Sequence, residues 1–173
     1  GVGTDNIDFS ALSDHSVNLG WTSGVNKRSV SELVLSFALG HCRNVFQSVH
    51  KMKSSNWKKE GGKQVSNCKF GIVGFGNIGQ DLAKILEPFG CEIFFTDIEK
   101  KNVQLKVKQV EYHDLISLSD IISFHVPQTT QTFYMFSKKE LDLVKKGAFL
   151  INTSRGEVID FDSAVFGVKE HIL

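Results

Sequence analysis

Gly74, Gly76 and Gly79 form a G-x-G-x-x-G motif inside the stretch "KFGIVGFGNIGQDLAKILEPFGCEIFFTD", Lys69 to Asp97. An apolar run leads into the glycines, a helix-forming run opens within them, and a second apolar run ends on Asp97, 18 residues after Gly79. This spacing suits a dinucleotide. Gly74 lets the chain turn sharply out of a strand, Gly76 lets a pyrophosphate approach the backbone, and Gly79 lets helix and strand pack closely. The free N–H groups of a helix opening at Asn77 and Ile78, with the helix dipole, hold negative charge. Asp97 is placed to accept hydrogen bonds from the adenosine ribose and to repel a 2′-phosphate, which favours NAD over NADP. Two alternatives stand beside this reading. The same pattern closes a tight βα turn without a ligand, and Lys100 and Lys101 either reach a 2′-phosphate or are plain surface charge.

The elements around the motif must position it. Expected strands are Phe70–Val73, Glu92–Thr96, Lys108–Glu111, Ile121–Val126 and Phe149–Asn152. Expected helices are Ile78–Phe89, Tyr112–Leu118, Ser137–Leu143 and a last one from about Asp162. Apolar strands without polar alternation, separated by amphipathic helices, give a parallel sheet covered on both faces. The expected fold class is therefore α/β, a Rossmann-type doubly wound parallel sheet, incomplete at its C-terminal edge. Upstream, residues 1–28 read as loops with a short helix near Asp8–Ser13, and 50–67 as a connector anchored by Trp57. Between them, Ser29 and Glu32 have capping-box spacing and open a helix from Val30 to Val49. Its apolar residues cover more than one face, so it lies either inside the domain or against another subunit.

Composition narrows the class. A chain of 173 residues with formal net charge +1 offers no electrostatic case for nucleic acid, and its lysine clusters read as solvated surface. No apolar run approaches the roughly 20 residues of a membrane span. Cys42, Cys68 and Cys91 are widely spaced and match neither a zinc site nor a disulfide framework, so reduced thiols and a cytoplasmic location are expected, with no metal.

Three further stretches flank the glycine motif in order: "GVGTDNID" (Gly1–Asp8), "KRSVSELVL" (Lys27–Leu35) and "FHVPQTTQT…KKGAFLINTSRGEVID" (Phe124–Asp160). Together with the motif they resemble the D-isomer-specific 2-hydroxyacid dehydrogenases, D-3-phosphoglycerate dehydrogenase-like members above all. The resemblance implies hydride transfer between NAD and a D-2-hydroxy or 2-keto acid. It implies that backbone N–H groups at Val2 and Gly3 bind the substrate carboxylate. Arg155 would bind the carboxylate and keto oxygen and polarise the carbonyl, which suits a permanently charged planar fork; its alternative is a structural ion pair. His125, Val126 and Pro127 would line the cofactor cleft together with Thr132, Thr153 and Ser154, without an acid/base role for His125. The helix from Val30 to Val49 resembles the family's dimerisation helix, which implies a homodimer.

The family completes its site with a glutamate and a histidine a few tens of residues beyond the arginine. Glu170 and His171 are too close to Arg155 to be that pair. The expectation is a nucleotide-binding domain over 29–173 preceded by a remnant of a substrate-domain loop and linker over 1–28, cut from a protein roughly twice as long and nearly inactive alone. The competing readings are a non-enzymatic NAD-sensing interaction protein of the co-repressor type with the same fold, and a decayed or truncated gene product.

Overall fold

The structure, a computed structural model, describes residues 3–4, 6–58 and 61–173. Five parallel strands form one sheet in the order β3-β2-β1-β4-β5: β1 Lys69–Val73, β2 Glu92–Thr96, β3 Val107–Gln109, β4 Ile121–Phe124 and β5 Phe149–Asn152. The order reverses between β1 and β4, so the crevice of a doubly wound sheet opens beyond their carboxyl ends.

The period-2 alternation of each strand feeds two cores. Phe70 and Ile72 of β1, Ile93 and Phe95 of β2, Ile121 of β4 and Ile151 of β5 face one side. There they meet α2 (Lys27–Cys42, which follows α1, Phe9–Asp14) through Val34 and Ala38, and α4 (Asn77–Leu86) through Leu82, Ala83 and Leu86; α3 (Val45–Lys53) continues from α2. Val73, Phe94, Ile122 and Phe124 face the other side, against Leu115 and Ile116 of α5 (Tyr112–Leu118) and Leu141 of α6 (Lys138–Leu141). The last helix, α7 (Phe161–Lys169), packs on α6, and Ile172 and Leu173 beyond it join this second core.

At the amino ends of the strands, Asp120 ties three of them together. Its Oδ2 accepts from the Lys69 N–H at 2.7 Å, its own N–H donates to the Lys69 carbonyl at 2.8 Å, and its carbonyl accepts from Phe149 at 2.9 Å. Lys145 Nζ donates to Oδ1 at 3.0 Å. Burial alone would discourage ionisation, but the Lys69 N–H and the Lys145 ammonium outweigh it and hold the carboxyl below its usual range. On the face of the sheet that carries the first core, α2 is locked to α4 by Arg28, whose Nη2 lies 3.0 Å from Oδ1 of the buried Asp81.

Several local expectations are corrected. The helix expected from Val30 to Val49 is two helices, α2 and α3, separated at Asn44, which takes a left-handed conformation (φ 53°). Asparagine tolerates that region, and here its Nδ2 donates to the Gly61 carbonyl at 2.6 Å. The Ser29–Glu32 capping box does not form. Gly24, at φ +76°, turns the chain so that Asn26 becomes the N-cap and the helix starts at Lys27, leaving Ser29 inside the first turn. A capping box forms instead at Ser137 and Glu140. Trp57 is 67% exposed and anchors nothing in the described core. β4 stops at Phe124, so His125 and Val126 lie beyond it, and the expected helix to Phe89 ends at Leu86 with a 3₁₀ turn over Glu87–Phe89.

Two stability measurements follow. Arg28→Ala leaves Asp81 buried and unpaired, so it is expected to cost about 1–2 kcal/mol in urea unfolding, reduced from a fully buried pair because Arg28 is half-exposed. Adding Asp81→Asn should recover part of that loss; an undiminished double-variant loss contradicts the pairing. For Asp120 the lowered folded pKa stabilises above the unfolded carboxylate value and is lost as pH falls through the folded one. The stability gap between the wild type and Asp120→Asn should therefore shrink below about pH 4, and a gap independent of pH between 6 and 3 would exclude this linkage.

Candidate functional site

Two of the three glycines have a steric reason for lacking a side chain, and the third stands in the open. Gly74 is buried at φ +92°, and a Cβ there would lie 2.7 Å from the His125 carbonyl oxygen. That contact draws the ends of β1 and β4 together at the point where strand order reverses. At Gly79 a Cβ would stand 2.3 Å from the Gly74 oxygen, so α4 rests directly on the turn. Gly76 differs from both: nothing lies within 4 Å of its would-be Cβ. It is the N-cap of α4 and supplies no side-chain cap, which leaves the first-turn N–H groups beside open space. An uncapped helix start with an open cradle fits an anionic group such as a pyrophosphate. Asn77 is exposed and donates to Ser23 Oγ at 2.8 Å, while half-buried Ile78 turns its carbonyl toward Ser31 of α2.

Asp97 stands at the end of β2 facing this turn. Its Oδ2 accepts from the Phe75 N–H at 2.8 Å and its Oδ1 from the Glu99 N–H at 3.0 Å. The carboxylate thus braces the glycine loop. With about four lone-pair positions it retains capacity for hydroxyl donors. Lys101 lies 3.7 Å from Asp97 Oδ1 and also contacts Glu99, whereas Lys100 is exposed.

Across the crevice, the register Phe124↔Asn152 makes His125 and Thr153 neighbours at the ends of β4 and β5. His125 Nε2 is 2.9 Å from Ser123 Oγ, and burial lowers its pKa to about 4, so the imidazole is neutral near pH 7. Its Nδ1 and the Thr153 Oγ1 are buried with no hydrogen-bond partner among the described residues. Two orphaned polar atoms, one just past the end of each strand, are each a fit for an amide or hydroxyl of a bound molecule. Val126 is half-buried and Pro127 exposed. Thr132 has a local duty, since its Oγ1 donates to the Pro127 carbonyl at 2.6 Å and accepts from the Thr129 N–H at 2.8 Å, closing the loop beyond β4.

Arg155 lies three residues past β5, half-buried, with Nη1 donating to the Ser154 carbonyl at 3.0 Å. Its turn is set by Asn152, a residue the sequence reading passed over. Asn152 Oδ1 accepts from both the N–H and the hydroxyl of Ser154, at 3.0 and 2.7 Å, and its Nδ2 donates to the Arg155 carbonyl at 2.8 Å. Gly3 is exposed, and Val2 lies outside the described residues. His171 is at the other end of the sheet from Arg155, because the adjoining Ile172 carbonyl accepts from Gly147 ahead of β5. Ser23 and Gln109 were also missed. Both act from distant stretches of chain, Ser23 on Asn77 and Gln109 on the loop after Asp97, so local spacing carried no sign of them.

Residues 35–173 match the family model described as the D-isomer specific 2-hydroxyacid dehydrogenase, NAD binding domain. The chain is 34% identical over 162 residues to a hydroxypyruvate reductase of Thermotoga maritima, covering 92% of this chain and 53% of that protein. It is 35% identical to a D-3-phosphoglycerate dehydrogenase of Haemophilus influenzae, over 98% of this chain and 42% of that one. Among solved structures it superposes with a TM-score of 0.88 on an NAD-dependent formate dehydrogenase of Staphylococcus aureus in complex with NAD, 31% identical, covering 100% of this chain and 54% of the other. The chain spans about half the length of the curated relatives it matches. With its sheet order, glycine turn and terminal acid as described, the chain belongs to the D-isomer specific 2-hydroxyacid dehydrogenase family and carries that family's NAD-binding domain.

Proposed function

We propose that this chain is the cofactor-binding part of an enzyme that interconverts a D-2-hydroxy acid and its 2-keto acid by hydride transfer with NAD. The observation that carries the reading is the uncapped, open cradle at Gly76, braced by Asp97. In this reading the first turn of α4 holds the pyrophosphate, Asp97 takes the adenosine ribose hydroxyls, and Val126 and Pro127 form the wall on the β4 side. His125 and Thr153 offer their orphaned atoms to the bound cofactor. NAD supplies the hydride acceptor or donor. Arg155, held in its turn by Asn152, binds the substrate carboxylate and keto oxygen and draws electron density from the carbonyl, with N–H groups at Val2 and Gly3 assisting. The domain comprises residues 29–173, and 1–28 connect it to a substrate-binding part. His125, neutral and held by Ser123, takes no acid/base role, and neither does His171.

The named relatives support a 2-keto acid of small size, and a phosphoglycerate-derived acid is one candidate. They are enzymes, which favours catalysis over a purely sensing role.

A homodimer through α2 and α3 is part of the proposal. Leu33 and Phe37 of α2 and Val45, Phe46, Val49 and Met52 of α3 are exposed, so the second apolar face expected of this region points outward. Large apolar side chains exposed on two successive helices are what a protein interface would cover.

Two outcomes test these statements. In the full-length polypeptide, Arg155→Ala should lower kcat/KM for the 2-keto acid by on the order of 10²- to 10³-fold, as loss of one partner of a desolvated charge pair does, with NADH affinity nearly unchanged; an unaltered kcat/KM removes the role. Light scattering of the chain at several micromolar should give twice its 19.3 kDa mass, and Val49→Lys should return it to a monomer. A wild-type monomer would refute the interface.

A further inference from the structure

We infer that Cys42 and Cys68 are a site of reversible oxidation: hydrogen peroxide joins their sulfurs into a disulfide that staples the end of α2 to the start of β1. The inference uses no property of the cofactor site.

Three free thiols gather at the amino end of the sheet, on its first-core side. Cys42 is the last residue of α2, Cys68 stands just before β1 and Cys91 just before β2. The register Lys69↔Glu92 makes Cys68 and Cys91 neighbours along the sheet. The sulfur contact runs the other way, from helix to sheet. Cys42 Sγ lies 3.8 Å from Cys68 Sγ, and both residues are 2% exposed. A disulfide needs these sulfurs, now 3.8 Å apart, to close by about 1.8 Å. Rotation about the two Cα–Cβ bonds moves the sulfurs by that order.

A narrow strip of exposed chain, residues 61–64, touches both cysteines. The Lys63 N–H donates to the Cys42 carbonyl at 2.9 Å, and Cys68 Sγ donates to the Gln64 carbonyl at 3.6 Å. Local opening of this strip gives a molecule as small as peroxide a route to the sulfurs. Burial, with the Cys68 sulfur alongside, pushes the Cys42 thiol up to about 11. Little thiolate is present at neutral pH, so the pair resists trace oxidant.

The step is balanced. One sulfur attacks peroxide, the O–O bond breaks, and a sulfenic acid and one water form. The second sulfur displaces the sulfenic oxygen as another water and closes the S–S bond. Two thiols lose two protons and two electrons, and peroxide is reduced to two waters. The bond joins positions 26 apart in sequence, and α3 lies within the loop it closes. Cross-linking removes conformations from the unfolded chain, so the oxidised chain is the more stable one.

The test treats the folded chain with millimolar hydrogen peroxide, alkylates the remaining thiols and combines tryptic mass spectrometry with a thermal melt. Each cysteine falls in its own tryptic peptide. The expected product is one linked pair carrying Cys42 and Cys68, about 2 Da lighter than the two free peptides, with Cys91 still alkylated. The melting temperature should rise by roughly 5–10 °C, and dithiothreitol should undo both changes. Met52, 61% exposed, gains an oxygen and reports that the oxidant has acted. In Cys68→Ala, peroxide should leave the melting temperature without that rise. Met52 sulfoxide with all three cysteines still alkylated overturns the inference. So does a bridge to Cys91, separate over-oxidation of the two sulfurs, a linked chain that melts no higher, or a rise that persists in Cys68→Ala.

Discussion

The structure depends on one steric contact, the approach of α4 to the Gly74 carbonyl at Gly79. Only a hydrogen fits there; a Cβ would stand 2.3 Å from the oxygen. Because α4 sits this low on β1, Leu82, Ala83 and Leu86 reach the sheet's first core, and α2 can lie across α4 with Val34 and Ala38 buried. The same contact aims the N-terminus of α4 into the crevice instead of over it. Packing and the aim of the helix start are thus set by one missing methyl group. Gly74 repeats the device one strand further on, against the His125 carbonyl.

Electrostatics at the crevice follow from this frame. The helix start contributes partial positive charge at Gly76, the end of β2 contributes Asp97, and the end of β5 contributes Arg155. Each charge has a brace of its own. Phe75 N–H and Glu99 N–H hold Asp97, and Asn152 shapes the turn of Arg155. His125 is kept neutral by burial, so it adds hydrogen-bonding capacity without adding charge. A preorganised set of this kind spends little free energy on rearrangement when a ligand arrives.

The sheet and the glycine turn were legible in the sequence because their signals are local: apolar runs of strand length, glycines at fixed offsets, an acid ending the next strand. The five strands were located to within a residue or two, and β1 through β5 assembled as a parallel sheet. Features decided by contacts across the chain were not legible. The break at Asn44 depends on Gly61 seventeen residues away, and the start of α2 depends on a turn at Gly24 that packs against Asn77. Ser29 and Glu32 had the right spacing for a cap, but spacing does not say whether the helix has already begun. Asn152 and Gln109 work by folding back onto backbone groups, which no residue pattern advertises. Arg155 was legible only as a position, since its turn is made by neighbours.

Asp120, at the amino ends of the strands, has a consequence for how this protein can change. The bonds from Asp120 to Lys69, Lys145 and Phe149, and the contact of Gly147 with Ile172, all lie at the edge away from the crevice. The anchoring of β1, β4 and β5 is therefore largely independent of the loops that leave their carboxyl ends. Substitutions in those loops can alter what is bound with little penalty to foldability, while substitutions near Asp120 are constrained whatever the ligand. A scaffold divided in this way is open to diversification, and proteins that share it can differ in the acid they act upon while keeping one sheet.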